Sequence, residues 1–505
     1  MKVLFLYPNA DSQVGFNYGV SHMAALLRKA GHDVAFWQLC EELAPLPVRD
    51  EFVNRVKREK PDLLAFSVVT NQWEYAKKLA SWIKQEMSLT TICGGVHALV
   101  APEQILDSGV FDYIMRGECE EAFLEFVERL AKGQSVEDLQ NLGYRKNGRI
   151  SLNPVRPLPA LEPLPFKDYE VMDFQKLIDV KNGWVGLMAS RGCPFSCTYC
   201  FNHKMVATYR ADLKCSFAKL NYIRRFSVEQ MAEEIRYLLK NYKNIQMFIF
   251  DDDLFTFDKD YVKEFCGAYK KITDLPFVVN AHVRFFDQEC ADILADANCR
   301  IVKFGVESGS ERVRKTILNR HMSNEEIIEA IRYVREAGMH SSVFVIIGFP
   351  HEQSEDVFAT IRLLAQASPG RFRWTYFFPY PGTEAHRISR ENGLIDEEKM
   401  RTLSNFTDQS CLDFGDEQNL LLRKIGRIMP WFVNAYSNFP AASIYKTKID
   451  ELLSLDKQQW EQVEPTLYEQ DKKLSERCVL EGLSHYAIKY NRFMGVISDY
   501  FLQDK

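Results

Sequence analysis

Three thiols in one short run carry the strongest chemical signal in the chain. They lie in Arg191-Gly192-Cys193-Pro194-Phe195-Ser196-Cys197-Thr198-Tyr199-Cys200 and are spaced C-x3-C-x2-C. Cysteine thiolates hold iron–sulfur clusters, and a [4Fe–4S] cube has four irons to ligate. Three protein ligands therefore leave one iron open to a small molecule. A zinc site would use four ligands, usually as two C-x2-C pairs. No second pair exists, because Cys40, Cys93, Cys119, Cys215, Cys266, Cys290, Cys299, Cys411 and Cys478 are scattered singly.

Strands and helices alternate on both sides of this run. Val3–Tyr7, Val34–Trp37, Leu63–Ser67, Thr90–Cys93 and Tyr113–Arg116 read as strands in the first part. Helical faces lie between them, Gly31 serves as a stop, and a helix spans Glu120–Ala131. Such alternation implies a doubly wound parallel sheet, which binds ligands at the carboxyl ends of its strands. Residues 141–184 carry Pro154, Pro157, Pro159, Pro163 and Pro165 and read as an ordered, irregular linker.

A second alternation occupies 185–395, with strands at Val185–Ser190, Ile245–Phe250, Phe277–Asn280, Ile301–Val306, Val343–Ile347 and Arg373–Phe378. Ser227 and the Ser323–Glu326 capping box start two of its helices. Six units are too few to close an eight-stranded barrel. From 396 to 505 the strand signal fades. A stripe of Leu421, Leu422, Ile425, Ile428, Met429 and Phe432 ends near Pro430, and Tyr468, Leu474, Cys478, Leu483, Tyr486 and Tyr490 suggest further helices. The expected domains are thus 1–140, a linker over 141–184, a barrel over 185–395 and a helical region over 396–505.

Composition narrows the class. With 505 residues, 46% apolar and 26% charged, the chain is ordinary globular protein. A net charge of −6 gives no basic stripe for nucleic acid. No apolar run approaches the length of a membrane span, and Pro8 ends the apolar start too early for a signal peptide. Twelve cysteines in so long a chain suit a reducing cytoplasm rather than a disulfide scaffold.

The cysteine spacing, with Tyr199 inside it, resembles that of the radical S-adenosylmethionine (SAM) superfamily. There the open iron binds the amino and carboxylate groups of SAM, and an electron from the cluster cleaves it. The resemblance extends along the barrel. Gly305-Val306-Glu307-Ser308-Gly309-Ser310 looks like the element whose carboxylate accepts the ribose hydroxyls of SAM, although Ser310 could equally cap the next helix. Asp251-Asp252-Asp253 stands where relatives place a SAM-amine element, Asp252 being the candidate. In isolation such a triplet reads as a loop or cap. Arg224, Arg225 and Arg284 are candidate partners for the SAM carboxylate, Arg225 first. Gly348-Phe349-Pro350 and Phe378-Pro379-Tyr380-Pro381-Gly382-Thr383 resemble further loop elements near the adenosine, and tight turns alone would explain them too.

The chain as a whole resembles the cobalamin-binding radical SAM enzymes, the group of the anaerobic magnesium-protoporphyrin ester cyclase and the hopanoid and phosphonate methylases. Pro61-Asp62 with Ser67, Cys93-Gly94-Gly95-Val96-His97, and Asp112 with Arg116-Gly117-Glu118 match their pattern. This implies an α/β fold with an N-terminal Rossmann-like cobalamin domain, a partial (β/α)6 barrel and a C-terminal helical domain. The cobalt-ligating D-x-H-x-x-G of other cobalamin proteins is absent, because the loop reads Asn9-Ala10-Asp11-Ser12-Gln13-Val14-Gly15. His97 remains as a cobalt ligand, a contact to the corrin rim or a packing residue.

The implied cofactors are a [4Fe–4S] cluster held by Cys193, Cys197 and Cys200, SAM, and cobalamin as methylcobalamin. The implied reaction is methylation of an unactivated carbon through a 5′-deoxyadenosyl radical. The alternative is a radical cyclase, ring-contraction or carbon–carbon coupling enzyme. A flavodoxin or ferredoxin would supply electrons. Aromatic residues near the C-terminus (Trp431, Phe432, Tyr436, Phe439, Tyr445 and Trp460) suit an apolar substrate or simply a core.

Overall fold

The computed structural model describes residues 1–403, 407–491 and 496–502. They fall into two compact units. The first holds Met1–Phe195, Tyr199–Phe248 and Tyr380–Thr383; the second holds Ser196–Thr198, Ile249–Pro379 and the chain from Glu384 on.

The first unit is built on strands β1 (Lys2–Pro8), β2 (Asp33–Leu39), β3 (Leu63–Ser67), β4 (Thr90–Gly94), β5 (Tyr113–Met115), β6 (Leu142–Lys146) and β7 (Arg149–Leu152). Their order is β2-β1-β3-β4-β5-β6-β7. The first five are parallel, and β6 and β7 join antiparallel. Leu4, Leu6, Leu64, Phe66 and Cys93 share a core with Trp73, Ala76 and Leu79 of the helix Trp73–Glu86. In this order the winding reverses between β1 and β3, where a doubly wound sheet opens its ligand crevice.

The β6–β7 hairpin corrects the expectation of irregular chain after residue 140. Asn147 (φ 50°) and Gly148 (φ 76°) join its strands. Two central residues at positive φ match the strand twist, and Asn-Gly adopts them most readily. The first unit also contains β8 (Trp184–Leu187), β9 (Ser190–Arg191) and β10 (Arg224–Arg225). The single expected strand Val185–Ser190 is therefore two. β8 lies beside the start of β11 (Met247–Phe250), where Met247 N donates to Gly183 O at 3.2 Å.

The second unit continues from the end of β11 through β12 (Phe277–Ala281), β13 (Cys299–Glu307), β14 (His340–Ile347) and β15 (Arg371–Tyr376). These strands neighbour one another in that order, and β12 to β15 pair in parallel. Amphipathic helices separate them, one of which begins at Ser323 with a capping box, while at the start of another Gln353 N donates to Asp356 Oδ2 at 2.9 Å.

The C-terminal region is not wholly helical. After helix Leu467–Leu480 come β16 (His485–Asn491) and β17 (Val496–Leu502), an antiparallel pair. β17 adds antiparallel to β15. The helical stripe expected to end near Pro430 is the first of two helical segments within Asp416–Tyr436, which meet at a kink at Ile428 (φ −142°, ψ 38°), two residues before the proline. Proline cannot donate to the carbonyl four residues earlier and clashes with it. That carbonyl belongs to Gly426, and it accepts the Trp374 indole N–H at 2.7 Å. The carbonyl freed by the proline is thus satisfied from β15.

Candidate functional site

The cysteine loop is set by its flanks. β9 pairs with β10, Arg191 opposite Arg224 and Ser190 opposite Arg225. Gly192 follows at φ 94°, and a Cβ there would lie 2.2 Å from the Tyr222 carbonyl oxygen. Only glycine lets the chain turn there into Cys193. At the other end Cys200 is the N-cap of helix Phe201–Leu213. Helix N-termini favour anionic sulfur. Tyr380 stands near Cys200; its surroundings, and then that thiol, push its hydroxyl up to about 12.

Cys197 is buried, and Arg320 Nη1 donates to its Sγ at 3.5 Å. Burial also pushes the thiols of Cys93 and Cys299 far up, and those of Cys266 and Cys290 to about 12, so these stay protonated and poor ligands. Among the described residues no three His, Cys, Asp or Glu side chains converge as one metal ion requires. A cube instead distributes its thiolates over separate irons. The donor set and the positive groups around it fit such a cluster.

At the end of β13 a bulge shifts the register between Gly305 and Glu307. Glu307 takes φ 67°, a left-handed conformation that costs a non-glycine residue about 1–3 kcal/mol. Bulges re-aim side chains. Here the Glu307 carboxylate folds back over Gly305, where Oε1 would lie 2.5 Å from a Cβ. Ser308 is turned into the protein; its Oγ lies 3.4 Å from Thr360 Oγ1 and accepts from Ser310 N at 3.2 Å. Gly309 is required by packing, since a Cβ would lie 2.4 Å from Thr360 Cα. Asp252, at the end of β11, is fully buried, and its carbonyl accepts from Asn280 Nδ2 at 2.8 Å.

Glu352 was not singled out from sequence. It is buried, and Oε2 accepts from the N–H groups of Gly348 (2.6 Å) and Phe349 (3.2 Å). Burial pushes its carboxyl up to about 8. Its position, two residues past Pro350 in the loop after β14, was the available signal.

In the first unit the loops at the β1/β3 crevice are tied together. Gln72 bonds to both Ala10 N (3.0 Å) and Ala10 O (2.7 Å), and Asn17 Nδ2 donates to Ser67 Oγ at 3.0 Å. Gly94 leaves ordinary contact distances to Phe66 O and Met115 O. Gly95, at φ 87°, touches Val68; a Cβ would meet its oxygen at 2.6 Å. His97 is buried, its ring centre 5.0 Å from that of Trp73. Neither ring nitrogen has a hydrogen-bond partner among the described residues, and burial lowers its pKa to about 4. The buried imidazole is neutral, and its two ring nitrogens are the polar atoms there that a bound cofactor could partner.

Gly117 and Glu118 are used differently. Tyr209 fills the space over Gly117 and its hydroxyl accepts from Glu118 N at 2.8 Å. The Glu118 carboxylate pairs with Arg191 (2.7 Å) and with Arg224. Arg224 also donates to Pro159 O at 2.7 Å. Arg225, one residue on in β10, points to the opposite side, as strand alternation dictates. Tyr199 is half-buried within the cysteine loop. Trp431, Phe432, Tyr445 and Trp460 are fully buried core. A cavity of about 760 Å³ in the second unit has a mixed charged lining that includes Tyr376, Lys399, Asp413, Arg423, Arg427 and Glu464. No described helix is long and apolar enough to cross a membrane.

Comparison with known proteins matches both units of chemistry. The model of the radical SAM superfamily matches residues 187–364, and that of the B12 binding domain matches residues 12–127. An uncharacterized methyltransferase of Pyrococcus horikoshii is 28% identical, over 78% of this chain and 84% of its own. The cytidylyl-2-hydroxyethylphosphonate methyltransferase of Streptomyces wedmorensis is 26% identical, over 79% and 83%. The anaerobic magnesium-protoporphyrin IX monomethyl ester cyclase of Rubrivivax gelatinosus is 23% identical, over 87% and 79%. Among solved structures, the radical SAM methyltransferase TsrM of Kitasatospora setae with cobalamin and a [4Fe–4S] cluster superposes with a TM-score of 0.62. That match has 16% identity over 77% of this chain and 78% of that one. A radical SAM domain implies a [4Fe–4S] cluster and SAM, and a B12-binding domain implies cobalamin. The chain thus combines a radical SAM domain with a B12-binding domain and is similar to methyltransferases and to the magnesium-protoporphyrin ester cyclase.

Proposed function

We propose that the protein is a cobalamin-dependent radical SAM methyltransferase that methylates an unactivated carbon. The observation that carries this reading is the alignment with methyltransferases over more than three quarters of the chain. Bound together, the cofactors would supply a 5′-deoxyadenosyl radical and a methyl group.

The residues divide the work. Cys193, Cys197 and Cys200 would hold the cluster. The Cys200 N-cap and the Arg320 guanidinium stabilise negative sulfur at two of the three positions. Glu307, aimed by the bulge, would accept the ribose hydroxyls of SAM, and Asp252 and Arg225 are candidates for its amino acid end. Ser67, Gly94, Gly95 and His97 border the crevice that would take cobalamin. Glu118 and Gly117 instead brace the strand that precedes the cysteines. A low-potential flavodoxin or ferredoxin would supply the electron.

The test uses the full chain, reconstituted anaerobically and loaded with hydroxocobalamin. Reduced protein given methyl-deuterated SAM should release S-adenosylhomocysteine and transfer the label to the bound corrinoid. Cleavage to 5′-deoxyadenosine with no S-adenosylhomocysteine would favour the cyclase or coupling chemistry of the magnesium-protoporphyrin relative. Failure to take up cobalamin would leave the first unit a scaffold.

A further inference from the structure

The middle cysteine has a support of its own. Arg320 reaches it from the loop between the helical turn Val313–Ile317 and helix Asn324–Glu336. Four hydrogen bonds stitch this loop to the cysteine segment. Thr198 N donates to Leu318 O (3.2 Å), and Thr198 Oγ1 donates to Ile317 O (2.6 Å). Asn319 Nδ2 donates to Ser196 O (3.0 Å) and to Ser196 Oγ (2.9 Å). Asn319 itself takes φ 53°, which turns the next residue toward Cys197. The Arg320 backbone is fixed in its turn, its N–H donating to Arg314 O at 2.7 Å.

The guanidinium is 9% exposed and divides its donors. Nη1 faces Cys197 Sγ at 3.5 Å, and Nη2 donates to Gly305 O. Gly305 is the residue over which the Glu307 carboxylate folds. One rigid fork thus touches the sulfur of Cys197 and the bulged strand end that carries Glu307. Arginine suits this position because its charge persists at any working pH and its donors are fixed in a plane.

We propose that Arg320 is a positioning residue that sets the reduction potential of the cluster through the Cys197 sulfur. The inference rests on the assignment of Cys197 as a cluster ligand. Reduction adds one electron to the cluster, taken from an external low-potential donor, and the added negative charge spreads onto the thiolate sulfurs. An N–H donor and a positive charge at Sγ stabilise the reduced state more than the oxidised one and so raise the potential. A merely structural guanidinium would hold Gly305 O and leave the potential unmoved.

The experiment is an anaerobic reductive titration of the reconstituted full chain without SAM, followed by the low-temperature electron paramagnetic resonance signal of the reduced cluster. Iron and sulfide are counted in every sample. Arg320→Met should retain the iron and favour the oxidised state about tenfold, a fall of about 59 mV in midpoint for a one-electron couple. Arg320→Gln, which keeps a neutral donor, should fall by less. Equal midpoints in wild type and both variants, at full iron, would overturn the proposal. If Arg320→Met loses its iron, Arg320→Gln decides alone: a lowered midpoint supports the proposal and an unchanged one overturns it. Wild-type protein that takes up no iron would instead sink the cluster assignment, a result distinct from an unmoved potential.

Discussion

Arg191 Nη1 lies 2.7 Å from Glu118 Oε2, which joins the strand before the first cysteine to the loop after β5. The same nitrogen is 2.7 Å from Glu120 Oε1, and Arg224 closes on Glu118 from β10. Glu118, which resemblance places at a cofactor, is here the counterion of two nearly buried arginines. Removing one partner of a buried pair leaves the other charge stranded, at a cost of about 3–5 kcal/mol. Glu118→Ala should therefore lower the urea midpoint by that equivalent, read by circular dichroism. A midpoint equal to wild type would show that the pairs contribute nothing.

The cluster assignment predicts a sharp loss. Replacement of Cys193, Cys197 and Cys200 together by alanine should reduce iron from about four per chain to background and abolish 5′-deoxyadenosine formation. Cys215→Ala, outside the motif, should keep both. SAM cleavage by the triple variant would refute the assignment.

Stability should also fall at both ends of the pH range, for opposite reasons. Glu352 ionises at about 8 in the folded chain against an ordinary 4.5. The native state keeps a proton that the unfolded state releases, so stability declines as pH rises from about 4.5 to about 8. His97 is lowered from 6.5 to about 4, so the unfolded state gains a proton first and stability declines as pH falls through that window. Glu352→Gln should flatten the alkaline limb and His97→Phe the acid limb, each approaching about 1.4 kcal/mol per pH unit where the group dominates. Because the two windows overlap and their slopes oppose each other there, each group is read from the difference between variant and wild type in unfolding midpoints from pH 4 to 9, and parallel curves would refute the assignment of that limb.

Gly95→Ala should cost roughly 1–3 kcal/mol, because alanine resists φ 87° and its methyl would press on Val68. The loss should appear in thermal unfolding without cofactor. A wild-type melting temperature would mean that the β3 and β4 ends relax freely.

What the chain discloses before folding is uneven. The parallel strands were legible because their apolar runs are bounded by turns and alternate with 3.6-period helices. Gly31, the cap Ser227 and the capping box at Ser323 were equally plain. The β6–β7 hairpin is signalled by Asn147-Gly148, but the five prolines from Pro154 to Pro165 give the same stretch the stronger signature of a linker. Tyr486 and Tyr490 suggested a helix, yet a spacing of four repeats on one side of a strand as well, and the segment is β16. Cys193, Cys197 and Cys200 stand out by spacing alone. Arg320 could not, since its place beside Cys197 depends on a loop more than a hundred residues away in the chain.

The antiparallel addition of β17 to β15 has a consequence for handling the protein. It hides a row of backbone donors and acceptors that would otherwise lie at the margin of the barrel sheet. Chains cut after Glu481 would uncover that margin and present the unpaired β15 backbone to other copies. They should form light-scattering aggregates under conditions where the full chain stays dispersed.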